Sequence, residues 1–196
     1  LVARGRYEWF AVAPDGASAI CVRAAADRGK EFVQVDVATG EVLRGLGRVG
    51  PYDEIGFSPG GDSVLLGCAD GTRLVRLADG EVACHLAEPL RRARVDFAGG
   101  TIAGLVAQSV HVYSVASGEL LRELPDVEAQ YVDVSVGGRL VAAAQGGRNC
   151  TTVWDVASGE VVRVVQHQAF AFDARFTADG TGLLCFANDT DAQVVG

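Results

Sequence analysis

Methionine is absent from the 196 residues, lysine occurs once, at Lys30, and histidine three times. No apolar run approaches the ~18 residues of a membrane-spanning helix, and no charged-then-apolar opening reads as a secretory leader. The chain starts at Leu1, which fits a processed product or a fragment. Basic residues are outnumbered, 17 against 25 acidic, for a net charge of −8 and a pI near 4.8. A nucleic-acid binder needs a basic face, so that class is disfavoured. There is no C-x-x-C pair and no G-x-S-x-G elbow. The five cysteines (Cys21, Cys68, Cys84, Cys150, Cys185) are odd in number, far apart and set in apolar runs. They read as free buried thiols in a reducing cytoplasm. A sustained apolar period of 3.6 is also missing, which excludes long helices.

What is present is a repeat. Val35–Glu41, Val75–Glu81, Tyr113–Glu119 and Trp154–Glu160 superimpose, and their glycines Gly40, Gly80, Gly118 and Gly159 are spaced 40, 38 and 41 residues apart. Upstream of each stands a second turn signature: Ala13-Pro14-Asp15-Gly16, Ser58-Pro59-Gly60-Gly61, Ala98-Gly99-Gly100 and Val136-Gly137-Gly138. A fifth copy of this signature is Thr177-Ala178-Asp179-Gly180. Between the turns apolar and polar residues alternate, as in Val110-His111-Val112-Tyr113 and Val33-Gln34-Val35-Asp36. Such alternation is the period of a strand, and glycine at the connectors supplies the positive φ of tight hairpins. Each unit therefore reads as four short antiparallel strands. A four-stranded unit of about forty residues is one blade of a β-propeller.

The sequence resembles the WD-repeat β-propeller family over nearly its whole length. Phe57-Ser58-Pro59 and Trp154-Asp155 match the family pattern directly. Asp70 and Asp189 each lie thirteen residues after their unit's Phe, at the place of the family's loop Asp, and His167 lies nine before Phe176, at the place of its His. The resemblance implies that His167, Asp189, Asp70, Trp154 and Asp155 are structural motif residues. It is to a degenerate, bacterial-type version. Val35, Val75 and Tyr113 replace the Trp in three units, with Val195 in the fifth, and Cys185 stands at the hydroxyl position of the last unit.

The expected fold is all-β, a propeller of four-stranded antiparallel blades in one domain or propeller fragment spanning 1–196. Its units run approximately 6–46, 52–87, 94–124, 131–166 and 170–196: four complete repeats plus a partial fifth. The family usually closes with seven blades, so a fragment of a larger ring is expected over a closed ring of five, in which Val2 and Ala3 would supply only a stub of the closing strand.

The motifs that suggest chemistry have plainer readings. Gly45-Leu46-Gly47-Arg48-Val49-Gly50 spells G-x-G-x-x-G, but Pro51 and the next turn leave no helix to hold a pyrophosphate. His167 with Asp189 resembles an acid–base pair, yet no nucleophile accompanies it. His85 and His111 fall in separate units, so no zinc site is expected. Asn188-Asp189-Thr190-Asp191 lacks the glycine and closing Glu of a calcium loop. Asn149-Cys150-Thr151 and Asn188-Asp189-Thr190 match the glycosylation tripeptide, which is frequent by chance. No cofactor is implied.

Glu88-Pro89-Leu90-Arg91-Arg92-Ala93-Arg94 is the most suggestive stretch. Read as a loop between two units, it places Arg91, Arg92 and Arg94 where an acidic partner segment would meet bidentate guanidiniums. Arg48 and Tyr52 occupy the matching loop one unit earlier, and His167 and Phe170 the loop at the end; these residue types carry interface energy. The expectation is a non-catalytic, cytoplasmic scaffold whose loop face binds a protein partner or another domain of its parent chain, with no nucleic acid and no membrane. The alternative is a cation- or small-molecule-binding propeller, hydrolase- or lyase-like, using a carboxylate ring of Asp53, Glu54, Asp96, Asp133 and Asp173.

Overall fold

The computed structural model describes residues 7–188, except 53, 97, 99 and 126, together with the backbone of Gln193–Val195. The chain is all-β and divides into two compact units, Leu1–Leu90 and Arg91–Gly196. No helix is long and apolar enough to cross a membrane among the described residues.

The first unit holds two antiparallel sheets. One comprises β1 (Tyr7–Val12), β2 (Ser18–Ala24), β3 (Lys30–Asp36) and β4 (Val42–Arg48); the other comprises β5 (Ile55–Phe57), β6 (Ser63–Cys68), β7 (Gly71–Arg76) and β8 (Val82–Leu86). The second unit holds three. They are β9 (Arg91–Val95) to β12 (Leu120–Leu124) through β10 (Thr101–Val106) and β11 (Ser109–Ser114), then β13 (Tyr131–Val134), β14 (Leu140–Gln145), β15 (Cys150–Asp155) and β16 (Val161–Gln166), and lastly β17 (Ala171–Phe176), β18 (Leu183–Ala187) and β19 (Gln193–Val195). In every sheet the strand order follows the chain. Each repeat of the sequence is thus one sheet, and the fifth has three strands.

Turn chemistry fixes these boundaries. Between the first and second strands, the Gly16, Gly61, Gly138 and Gly180 N–H groups donate back to the carbonyls of Ala13, Ser58, Ser135 and Thr177. In the third sheet the Asp96 carboxylate takes over, accepting from Gly100 N–H at 2.7 Å and Thr101 N–H at 3.2 Å. Between the third and fourth strands, Gly159 has φ 76°, a conformation that costs other residues roughly 1 kcal/mol. Asp155 there accepts from Ser158 N–H and is bound by Arg139 Nε, which hold its carboxyl below the usual carboxylate range. Asp36 does the same with Thr39.

Middle strands are apolar on both faces, and the alternation assigns each face to a neighbour. On β14, Val141 and Ala143 pack with Val110, Val112, Val132 and Trp154, while Ala142 and Ala144 pack with Ala171, Ala174, Leu183 and Cys185. Alanines at these positions let three sheets approach closely. In the first unit Ile20, Val22 and Phe32 pack against Val64, Leu66 and Val75. Phe32 is fully buried, and such burial contributes about 1.5–3 kcal/mol per side chain.

Arginine straps join neighbouring sheets within each unit. Arg44, on β4, donates from Nη2 to Ala78 O at 3.2 Å and lies across Gly80. Arg122, on β12, donates from Nε to Val156 O at 3.0 Å and from Nη2 to Ala157 O, lying across Gly159. Both follow the same Glu-apolar-apolar sequence; on β8 that position is Cys84, which is buried.

Candidate functional site: an arginine–tyrosine face

The first strands of the three sheets in the second unit lie side by side, β13 against both β9 and β17. Each ends at a turn residue, Asp96, Ser135 or Thr177, and counting back from these gives two rungs. Four residues before the turn stand Arg92, Tyr131 and Asp173; two before it stand Arg94, Asp133 and Arg175. Alternation puts Tyr131 with Asp133, and Asp173 with Arg175, on one face, and the contacts of Arg92 and Arg94 with the Tyr131 ring bring both arginines to the same surface.

Tyr131 is its centre. The guanidinium carbons of Arg92, Arg175 and Arg94 lie 4.6, 5.4 and 5.9 Å from the ring centroid, each contact contributing about 0.5–1 kcal/mol at an exposed site. Arg175 Nε also reaches Asp173 Oδ1 at 3.1 Å, and Ala174 N–H fixes that same oxygen at 2.8 Å. Asp133 accepts the Phe176 N–H at 2.8 Å. Burial pushes the Asp133 carboxyl up, opposed by that N–H and by the charges of Arg175 and Arg94.

Arg92 has φ 54°, left-handed backbone that glycine adopts freely and other residues at a cost of roughly 1–2 kcal/mol. The cause is a bulge: Arg94 pairs with Ala103 and Arg91 with Leu105, so Arg92 and Ala93 both stand opposite Gly104. A bulge re-aims a side chain, and here the side chain re-aimed lies over Tyr131.

Expectation and structure differ over this stretch. Arg91, Arg92 and Arg94 were expected on a loop, but Arg91–Val95 is strand β9; pairing with β10 overrides the loop-like Pro and Arg content. Arg91 donates to Ala107 O at 3.1 Å. Tyr131 and Arg175 were not singled out by sequence, although aligning the repeats on their turns brings them to the arginines.

The other expected residues lie elsewhere. Arg48 is exposed at the end of β4 and paired with Asp27. Tyr52 and Phe170 are exposed, Phe170 lying over Gly146, where a Cβ would collide with its ring. His167 is buried, its Nε2 3.0 Å from the Thr151 hydroxyl, so it packs inside rather than facing a partner. That hydroxyl comes from β15; Cys185, also close to Thr151, is a thiol pushed up by burial. Trp154 is core and Asp155 a turn acceptor. Asp70 pairs with Arg73 and lies 3.5 Å from His85 Nε2. Asp189 and Asp53 fall outside the described residues.

The carboxylates expected to form a ring have separate jobs: Asp96 in its turn, Asp133 on Phe176 N–H, Asp173 on Arg175. Among the described residues no group of His, Cys, Asp and Glu could hold a metal ion. The Gly45–Gly50 stretch begins inside β4 and opens no helix. All five cysteines are buried and free, and burial raises Cys68 to about 11. No protein-family model matches the chain, and comparison with curated proteins gives no match.

Proposed function

We propose that the chain is a non-catalytic interaction module, its sheets being WD-repeat-type propeller blades, and that the arginine–tyrosine face docks an acidic segment of a partner protein or of a neighbouring domain. The observation that carries this reading is the gathering of Arg92, Arg94 and Arg175, from two strands on either side of β13, around the single ring of Tyr131. On a chain of net charge −8 this gathering of guanidiniums favours acidic partners and speeds their encounter. The propeller part of the reading is supported by five successive sheets with chain-order topology and the same turns. Turns locked at both ends pre-order the surface, so docking immobilises little.

Fluorescence anisotropy of a labelled glutamate-rich peptide tests it. The peptide binds at low salt and more weakly at about 0.15 M, where charges are screened beyond about 8 Å; a lysine-rich peptide does not bind. The double variant Arg92→Glu, Arg175→Glu loses the binding while melting cooperatively. Equal binding by wild type and variant, or none by wild type, contradicts the proposal.

A further inference from the structure

Independently of the arginine–tyrosine face, we infer that the groove between the fourth and fifth sheets is a second docking site. Its occupant is a partner-protein segment that reads apolar residue, alanine, any residue, glycine. The groove has a volume of about 320 Å³, at the lower end of the range that holds a ligand. What fits it is shown by the groove between the third and fourth sheets, which has the same rim. Leu121, Arg122, Gly138 and Arg139 line that one, where Val162, Arg163, Gly180 and Thr181 line this one. The rest of the lining differs. Between the third and fourth sheets it is Val156 and Ala157, from the turn after β15. Between the fourth and fifth it is Gly182 with the side chains of Leu140, Val153, Phe176 and Leu183.

Three backbone anchors hold the Val156-Ala157 pair. Val156 N–H donates to Arg139 O at 2.8 Å, and the Val156 and Ala157 carbonyls accept from Arg122 Nε and Nη2. The valine side chain joins the core. Arg122 then crosses Gly159, where a Cβ would lie 3.3 Å from its Cδ. The first unit repeats the pattern: Leu77 N–H donates to Asp62 O at 2.9 Å, Ala78 O accepts from Arg44, and Arg44 crosses Gly80. An arginine strap thus takes the same kind of sequence twice, Leu77–Gly80 and Val156–Gly159. Arg163 stands at the strap position of β16, in the Glu-apolar-apolar-Arg order of Arg44 and Arg122, and Thr181 is the counterpart of Asp62 and Arg139. Docked in the same way, a segment gives two carbonyls to Arg163 and one N–H to Thr181 O. Its apolar side chain goes to Leu140, Val153, Phe176 and Leu183, extending the packing of β14 on β17. Main-chain bonds supply affinity and the apolar floor supplies specificity.

The probe is a labelled peptide, acetyl-Ser-Val-Ala-Ser-Gly-Gln-amide, titrated by fluorescence anisotropy. It has no carboxylate, so it does not report on the arginine–tyrosine face. The expected result is saturable binding that aspartate in place of the valine abolishes. Valine in place of the glycine weakens it about tenfold, because that position needs left-handed backbone under the strap. These two peptides test the groove in the unaltered protein. Arg163→Ala also weakens binding about tenfold, by removing the charged donors, and an excess of the glutamate-rich peptide leaves the probe bound. No binding by wild type overturns the inference, as does equal binding of the aspartate or the glycine-to-valine peptide. Undiminished affinity in Arg163→Ala overturns it too. Displacement by the glutamate-rich peptide means that the probe sits on the arginine–tyrosine face, which again overturns it. None of these results decides acidic docking, which the glutamate-rich peptide tests by its own binding.

Discussion

The Thr151 hydroxyl meets His167 Nε2 at 3.0 Å, fastening β15 to the segment that leads into β17. Thr72 does the equivalent work in the first unit: the second residue of its strand, it donates to Glu88 O and accepts from Leu90 N–H, sixteen and eighteen residues on. The threonine is the constant part of the device. Its partner is an imidazole in one unit and backbone in the other.

Thr151→Val therefore leaves a buried imidazole nitrogen without its partner and lowers stability by about 1–2 kcal/mol. Thr72→Val acts in the same direction, by orphaning a backbone amide at fully buried Leu90. Urea unfolding midpoints check both; a change within error for either would remove the role assigned to the hydroxyl.

The arginine straps predict a position-specific penalty for alanine. Gly159→Ala meets two costs, its φ of 76° and Arg122 Cδ 3.3 Å from the new Cβ, and loses roughly 1–2 kcal/mol. Gly100→Ala, with open space around its Cβ and no left-handed φ, is nearly neutral. Thermal melts of the two variants separate the cases.

Acid unfolding follows from the turns. Asp36, Asp79 and Asp155 have carboxyls held low chiefly by turn N–H groups, and Asp179 is pulled to about 2, first by the Thr177 hydroxyl. A carboxyl lowered in the folded chain stabilises it above the unfolded pKa near 3.9 and ceases to as pH falls through the folded value. Half-buried Asp133 is raised and acts in the opposite sense, but it is one group against several. Stability is expected to be flat near neutrality and to fall between about pH 4 and pH 2, with a shallower fall in Asp179→Asn. Unfolding midpoints across that range check it.

The thiols offer a probe of packing. Burial pushes Cys21, Cys68, Cys84 and Cys185 up, and a thiol reacts as its thiolate. Native protein should react slowly with a disulfide reagent near pH 8, whereas denatured protein releases all five thiols at once. Fast labelling of Cys68 in the native state would contradict its placement.

The sheets were legible because turn glycines and two-residue alternation are local signals. Gly16, Gly61 and Gly180 close the turns that the sequence marks, and Trp154-Asp155 ends a third strand as expected. The face was half legible. Arg92 and Arg94 stood out as a charge run, but their strand conformation comes from β10, and nothing local in Glu88–Arg94 announces that pairing. Tyr131 and Arg175 lie 39 and 83 residues from Arg92, and only sheet stacking brings them to it. His167 was legible as a motif residue, whereas its partner on β15 was not, because the hydroxyl belongs to the preceding sheet.

The most direct measurement of acidic docking is the arginine Nε–Hε region of the NMR spectrum during titration with the glutamate-rich peptide. Signals of Arg92, Arg94 and Arg175 should shift together and saturably, while Arg76, already paired with Asp79 and Glu81, stays in place. Uniform small shifts of all arginines, or shifts that spare these three, would contradict recognition at this face.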